Sequence, residues 1–105
     1  MKEVLEKLNA KHLFSSFTLI PPSVLGTRRK MTMYKGIDTA QYYHIVFSLN
    51  QKSRFGVKQA HEMVDFEERL THLMGHKFKY KHLLLSAPLC SKAQKVLQID
   101  GWNLL

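Results

Sequence analysis

The chain has 105 residues, 45% of them hydrophobic, with 16 lysines and arginines against 8 acids and a formal net charge of +8. That is close to the commonest domain size, so a single domain over residues 1–105 around one core is expected. No apolar run approaches the roughly 18–20 residues that cross a bilayer, and the first residues alternate charge with apolar side chains where a signal peptide would be continuously apolar. The single cysteine, Cys90, excludes an internal disulfide and any zinc site needing two thiolates from one chain, so a soluble, cytoplasmic protein with no membrane partner is expected.

From Lys2 to about Ala10, Val4, Leu5 and Leu8 recur at helical spacing with Glu3, Glu6 and Lys7 opposite, which predicts a short amphipathic helix. His12–Ile20 is rich in Phe, Thr, Leu and Ile and stops at Pro21-Pro22, so it reads as a strand followed by a loop through Gly26. Arg28–Lys35 alternates loosely, Gly36-Ile37-Asp38 reads as its end and turn, and Tyr42–Leu49 is dense in β-branched and aromatic residues; an antiparallel pair follows. In the second of these strands Tyr43, Ile45, Phe47 and Leu49 share one face, with Tyr42, His44, Val46, Ser48 and Asn50 on the other.

Ala60, Met63, Val64, Leu70, Leu73 and Met74 keep a 3.6 period from Val57 to Met74, and Gly75 supplies a C-terminal stop; this is the longest predicted helix. Lys81–Ala87 holds Leu83-Leu84-Leu85, the mark of a central strand buried on both faces, and Pro88 ends it. Ser91 is an N-cap for a helix through about Gln98, and Asp100-Gly101 turns the chain into a short final strand over Trp102–Leu105. The order α-β-β-β-α-β-α-β gives an α/β or α+β fold: one mixed sheet of about five strands with helices packed on its faces.

Charge is distributed in blocks. Residues 26–57 and 76–95 each carry a net +5, while 58–74 is acidic through Glu62, Asp65, Glu67 and Glu68. Segregated cations suit a polyanion, because Lys and Arg that neutralise phosphates release counterions. The candidates for phosphate contact are Arg28, Arg29, Lys30, Lys52, Arg54, Lys77, Lys79 and Lys81. In Lys77-Phe78-Lys79-Tyr80-Lys81 an extended chain would put the lysines on one face and the aromatics on the other, where rings can stack on bases or cover the sheet.

Asp38 closes the first strand of the pair, and Asn50-Gln51-Lys52 closes the second, with Asn50 and Lys52 two residues apart and so on one face. With the order of elements, this resembles the PD-(D/E)XK, or restriction-endonuclease-like, nuclease superfamily. The resemblance implies Asp38, Asn50 and Lys52 as catalytic residues, Asp38 as ligand of Mg or Mn, and Lys52 positioning or activating the attacking water. Asn50 stands where that family has a carboxylate, and it is a weaker ligand for a hard cation.

Other constellations read as structural. Asp38 beside Gly36 is also a turn residue making local side-chain bonds. His72 and His76 have metal-binding spacing but Gly75 stands between them. Cys90 at a helix start is an incidental thiol, since Lys92–Leu97 supplies no arginine for a phosphate loop, although Ser86–Ser91 lies where α/β sheets bind ligands. The expected function is nucleic-acid binding, DNA or RNA, mainly through phosphates and without catalysis or a required cofactor. A metal-dependent nuclease and an interaction module, pairing with an acidic protein or with a second copy as a homodimer, are the alternatives.

Overall fold

The computed structural model describes residues 13–21 and 31–105; the expected helix from Lys2 to Ala10 and the Arg28-Arg29-Lys30 cluster lie outside them. Five strands form one sheet in the order of the sequence: β1 (Phe14–Ile20), β2 (Thr32–Asp38), β3 (Tyr43–Asn50), β4 (Tyr80–Ser86) and β5 (Trp102–Leu104). β1, β2 and β3 run antiparallel, whereas β4 lies parallel to β3 and β5 parallel to β4. The two parallel crossovers carry helix α1 (Val57–Met74) and helix α2 (Ser91–Ile99). The result is the mixed five-stranded sheet of an α+β fold.

The strands sort their side chains by parity. Met33, Ile45, Phe47, Leu83 and Trp102 point to one face, where Ala60, Met63, Phe66 and Leu70 of α1 and Ala93 and Leu97 of α2 close over them. Tyr34 and Val46 point to the other face, under Phe14, Phe17, Leu84 and Leu105. Both described helices therefore pack on one face, against each other, instead of being divided between two. β3 takes the middle of the sheet, and β4 sits between it and β5.

Gly36 belongs to the strand and not to the turn. It pairs with Phe17 on one side and His44 on the other, and a Cβ there would stand 2.7 Å from the Phe14 ring. The turn comes later: Asp38 N–H donates to the Tyr42 carbonyl (3.1 Å), and Gln41 takes a left-handed φ of 69°. α1 ends at Gly75 (φ 72°), whose N–H donates to the Thr71 carbonyl. α2 is N-capped by Cys90, one residue before the expected Ser91. No described helix is long and apolar enough to cross a membrane.

Candidate functional site

The carboxyl ends of β3 and β4 and the starts of both helices are tied into one edge. Gln51 N–H donates to the Ser86 carbonyl (3.2 Å), Phe55 N–H to Pro88 (2.8 Å) and Cys90 N–H to Phe55 (3.1 Å). Phe55, fully buried, forms a parallel bridge to Leu89, which holds the N-termini of α1 and α2 side by side. Gln59 caps Gly56 through Oε1 (3.1 Å) and exchanges amide hydrogen bonds with Gln51 (3.1 and 3.3 Å), fixing the 51–56 connection.

Around this edge Lys52, Arg54, Lys58 and Lys92 are exposed. The Cys90 thiol is held below the ordinary cysteine range by the backbone N–H groups of Ala93 and Lys92, with Arg54 and Lys92 adding positive charge against the opposing effect of burial. Arg54 precedes Phe55 and Lys92 follows Cys90, whose N–H bonds to the Phe55 carbonyl, so one segment of each basic block is brought to this edge. Thr32, Ser48 and Asn50, with Met31, line an open cavity of about 390 Å³ at the same end of β2 and β3. Among the described residues that line it, none is charged.

Asp38 is elsewhere. The register pairs Thr32 with Ser48 and Ile37 with Tyr43, so Asn50 ends beside the start of β2 while Asp38 closes the opposite end of the hairpin. An acid that follows β2 neighbours the beginning of β3, never its end, and Asp38, Asn50 and Lys52 are not brought together. The two-residue spacing of Asn50 and Lys52 also loses its meaning, because the strand stops at Asn50 and Lys52 lies in a bend. Among the described residues no group of three His, Cys, Asp or Glu is disposed to hold a metal ion.

Lys77, Lys79 and Lys81 sit at that opposite end too, and they diverge. β4 begins only at Tyr80, so strand alternation does not govern Lys77–Lys79. Lys81 pairs with Asp100 (2.9 Å) on the helix-covered face, and Lys77 lines a cavity of about 390 Å³ with it, Glu67, Glu68 and Phe78. Lys79 lies 3.5 Å from the centre of the Tyr42 ring. Phe78 is buried in the main core, apart from Tyr80. In the Lys77 cavity Glu67 is buried, which pushes its carboxyl above the ordinary glutamate range against the nearby charge of Lys81 and a bond from Thr71. His72 lines that cavity, whereas His76 stacks on Tyr43 at 3.7 Å; the histidine pair has no common focus.

A polar row on the face away from the helices was not read from the sequence. Asp38 (5% exposed), His44 (0%) and His82 (1%) are buried there. Asp38 Oδ2 meets His44 Nε2 at 2.8 Å, His44 Nδ1 meets His82 Nε2 at 2.9 Å, and His82 Nδ1 meets Asn103 Nδ2 at 3.2 Å. The other oxygen of Asp38 accepts from the backbone N–H groups of Ala40 and Tyr42, both at 2.9 Å. The bond from His44, above all, holds the Asp38 carboxyl below the ordinary aspartate range, against its desolvation.

The strand order and the two-helix layer define the fold. Three solved structures share it: an apo structure of EndoMS (TM-score 0.61, 15% identity), a repair endonuclease from Pyrococcus abyssi (0.60, 15%) and an EndoMS–dsDNA2 complex (0.54, 16%). The matches cover 98–100% of this chain but only 42–43% of each neighbour, so the chain spans less than half their length. No protein-family model and no curated protein matches the sequence.

Proposed function

We propose that this domain binds nucleic acid through the backbone phosphates, without cleaving it, at the edge formed by the carboxyl ends of β3 and β4. The observation that carries this reading is the joining of the segments that hold Arg54 and Lys92, through the Phe55–Leu89 bridge and the Cys90 N–H bond to Phe55, beside two adjacent helix N-termini, with Lys52, Arg54, Lys58 and Lys92 exposed. Cations supply the long-range attraction, and backbone N–H groups at helix starts favour an anion. Double-stranded DNA is the first ligand to test, since a neighbour of the same fold was solved with it. The separation of Asp38 from Lys52 by the length of β3 weighs against the PD-(D/E)XK type of metal-dependent hydrolysis.

Titrating labelled duplex DNA, single-stranded DNA and RNA at two salt concentrations, with chelator present, tests the proposal. Binding that weakens steeply with salt and needs no Mg or Mn is expected. Binding indifferent to salt would remove the phosphate reading. Mg- or Mn-dependent cleavage that disappears in Asp38→Asn would replace it with the enzymatic one.

A further inference from the structure

The cavity of about 390 Å³ that Lys77 lines lies at the end of the sheet away from the cationic edge. Its volume falls in the roughly 300–1,000 Å³ range of small-molecule sites. Three parts of the chain enclose it: the C-terminal half of α1, the stretch from Lys77 into β4, and the turn at Asp100 before β5. Lys81 and Asp100 already satisfy each other at 2.9 Å, and the Trp102 indole N–H also donates to Asp100 at 3.0 Å.

The other charged groups of the lining are not matched in this way. Glu67 is only 8% exposed, and Thr71 Oγ1 donates to its Oε1 at 3.3 Å. Among the described residues nothing donates to its Oε2, which is not sealed in the core either and so opens on the cavity. Burial raises this carboxyl above the ordinary glutamate range, and a cation brought to Oε2 would oppose that effect. Glu68 and Lys77 are exposed on the same cavity, yet neither forms an ion pair with the other or with any described residue. Opposite charges thus line one hollow without meeting.

We propose that this cavity binds a small zwitterion of the α-amino-acid class, with its ammonium on Glu67 and Glu68, its carboxylate on Lys77 and an apolar side chain against Phe78. An ammonium has three hydrogens to donate, enough for the open oxygen of Glu67 and the carboxylate of Glu68 together. The ligand's carboxylate supplies the acceptor that Lys77 lacks. Phe78 lines the cavity while packed in the main core, so it offers the ligand apolar surface. A ligand with one charge fits less well: an amine alone leaves Lys77 unpaired, and a carboxylate alone meets Glu67 and Glu68 with nothing to offset them. The site is separate from the cationic edge and does not depend on nucleic acid.

Titrating the full chain with L-leucine at pH 7, followed by proton–nitrogen NMR of the backbone amides, tests this. Saturable shifts centred on Thr71, Phe78 and Asp100 are expected. Isoamylamine and isocaproate, which each keep the apolar chain and one of the two charges, should bind about tenfold more weakly or worse. Glu67→Gln and Lys77→Gln should each weaken L-leucine by about tenfold. Absence of localised shifts at about 10 mM L-leucine would overturn the proposal. So would an amine or a carboxylate that binds as tightly as the zwitterion. Comparison of the three compounds on the wild type decides the matter even where a variant does not fold.

Discussion

Asp38 holds two structures at once: one oxygen accepts from Ala40 and Tyr42 to close the β2–β3 turn, and the other receives His44 from inside the sheet. The first role is legible in a sequence where Asp follows Gly36-Ile37, because Asp makes bonds to nearby backbone N–H groups wherever chains turn. The second depends on a register that no local pattern discloses. Asp38→Ala should cost about 1–3 kcal/mol in chemical denaturation, since it removes the carboxylate that a buried imidazole and two backbone N–H groups bond to. With its carboxyl held below the ordinary range when folded, Asp38 stabilises the protein fully above about pH 4 and loses that contribution as the pH falls through its lowered value. Asp38→Asn should flatten this acid limb of the stability curve. Glu67 has the opposite sign: burial favours its protonated form, so it weighs against the fold as the pH rises above about 4. Glu67→Gln should therefore be more stable than the wild type at pH 7, with the difference fading toward pH 4 in the same denaturation series.

At the scale of elements, α1 was legible because the 3.6 period and a C-terminal glycine agree, and the structure runs over the expected Val57–Met74. β2 was misplaced because Gly36 has turn composition but a tertiary reason for its place: the Phe14 and Phe17 rings lie over it. Nothing within residues 31–38 announces two aromatic side chains arriving from another strand. Gly36→Ala puts a Cβ within 2.8 Å of two Phe14 ring atoms. It should cost about 1–3 kcal/mol in thermal or chemical unfolding, and Phe14→Leu in the same background should recover part of the loss. Recovery would assign the cost to the ring contact; an equal loss in both backgrounds would assign it to the strand backbone. The row of lysines at 77–81 failed for a related reason, since alternation holds only inside a strand and β4 begins at Tyr80.

Across the whole molecule, the second basic block is split between the two ends of the sheet, with Lys92 joining Lys52 and Arg54 of the first block at one end and Lys77 and Lys79 left at the other. Each parallel crossover returns the chain to where it began, so cations after β3 and after β4 gather at the carboxyl edge, while those just before β4 are left at the other. Sequence could count these charges but not assign them to ends, because that needs β3 and β4 to be parallel neighbours. The assignment makes a quantitative prediction. If Lys52, Arg54, Lys58 and Lys92 each neutralise one phosphate, log K should fall against log salt with a slope of about −3.6, roughly a hundredfold loss between 50 and 200 mM salt. Lys52→Gln with Arg54→Gln should bring the slope to about −1.8, whereas Lys77→Gln with Lys79→Gln should leave it unchanged. Equal changes from both pairs would mean that the polyanion runs along the whole molecule and that the carboxyl edge has no special claim on it. A slope altered only by the Lys77 and Lys79 pair would move the interface to the end that carries the Tyr42 and Tyr80 rings.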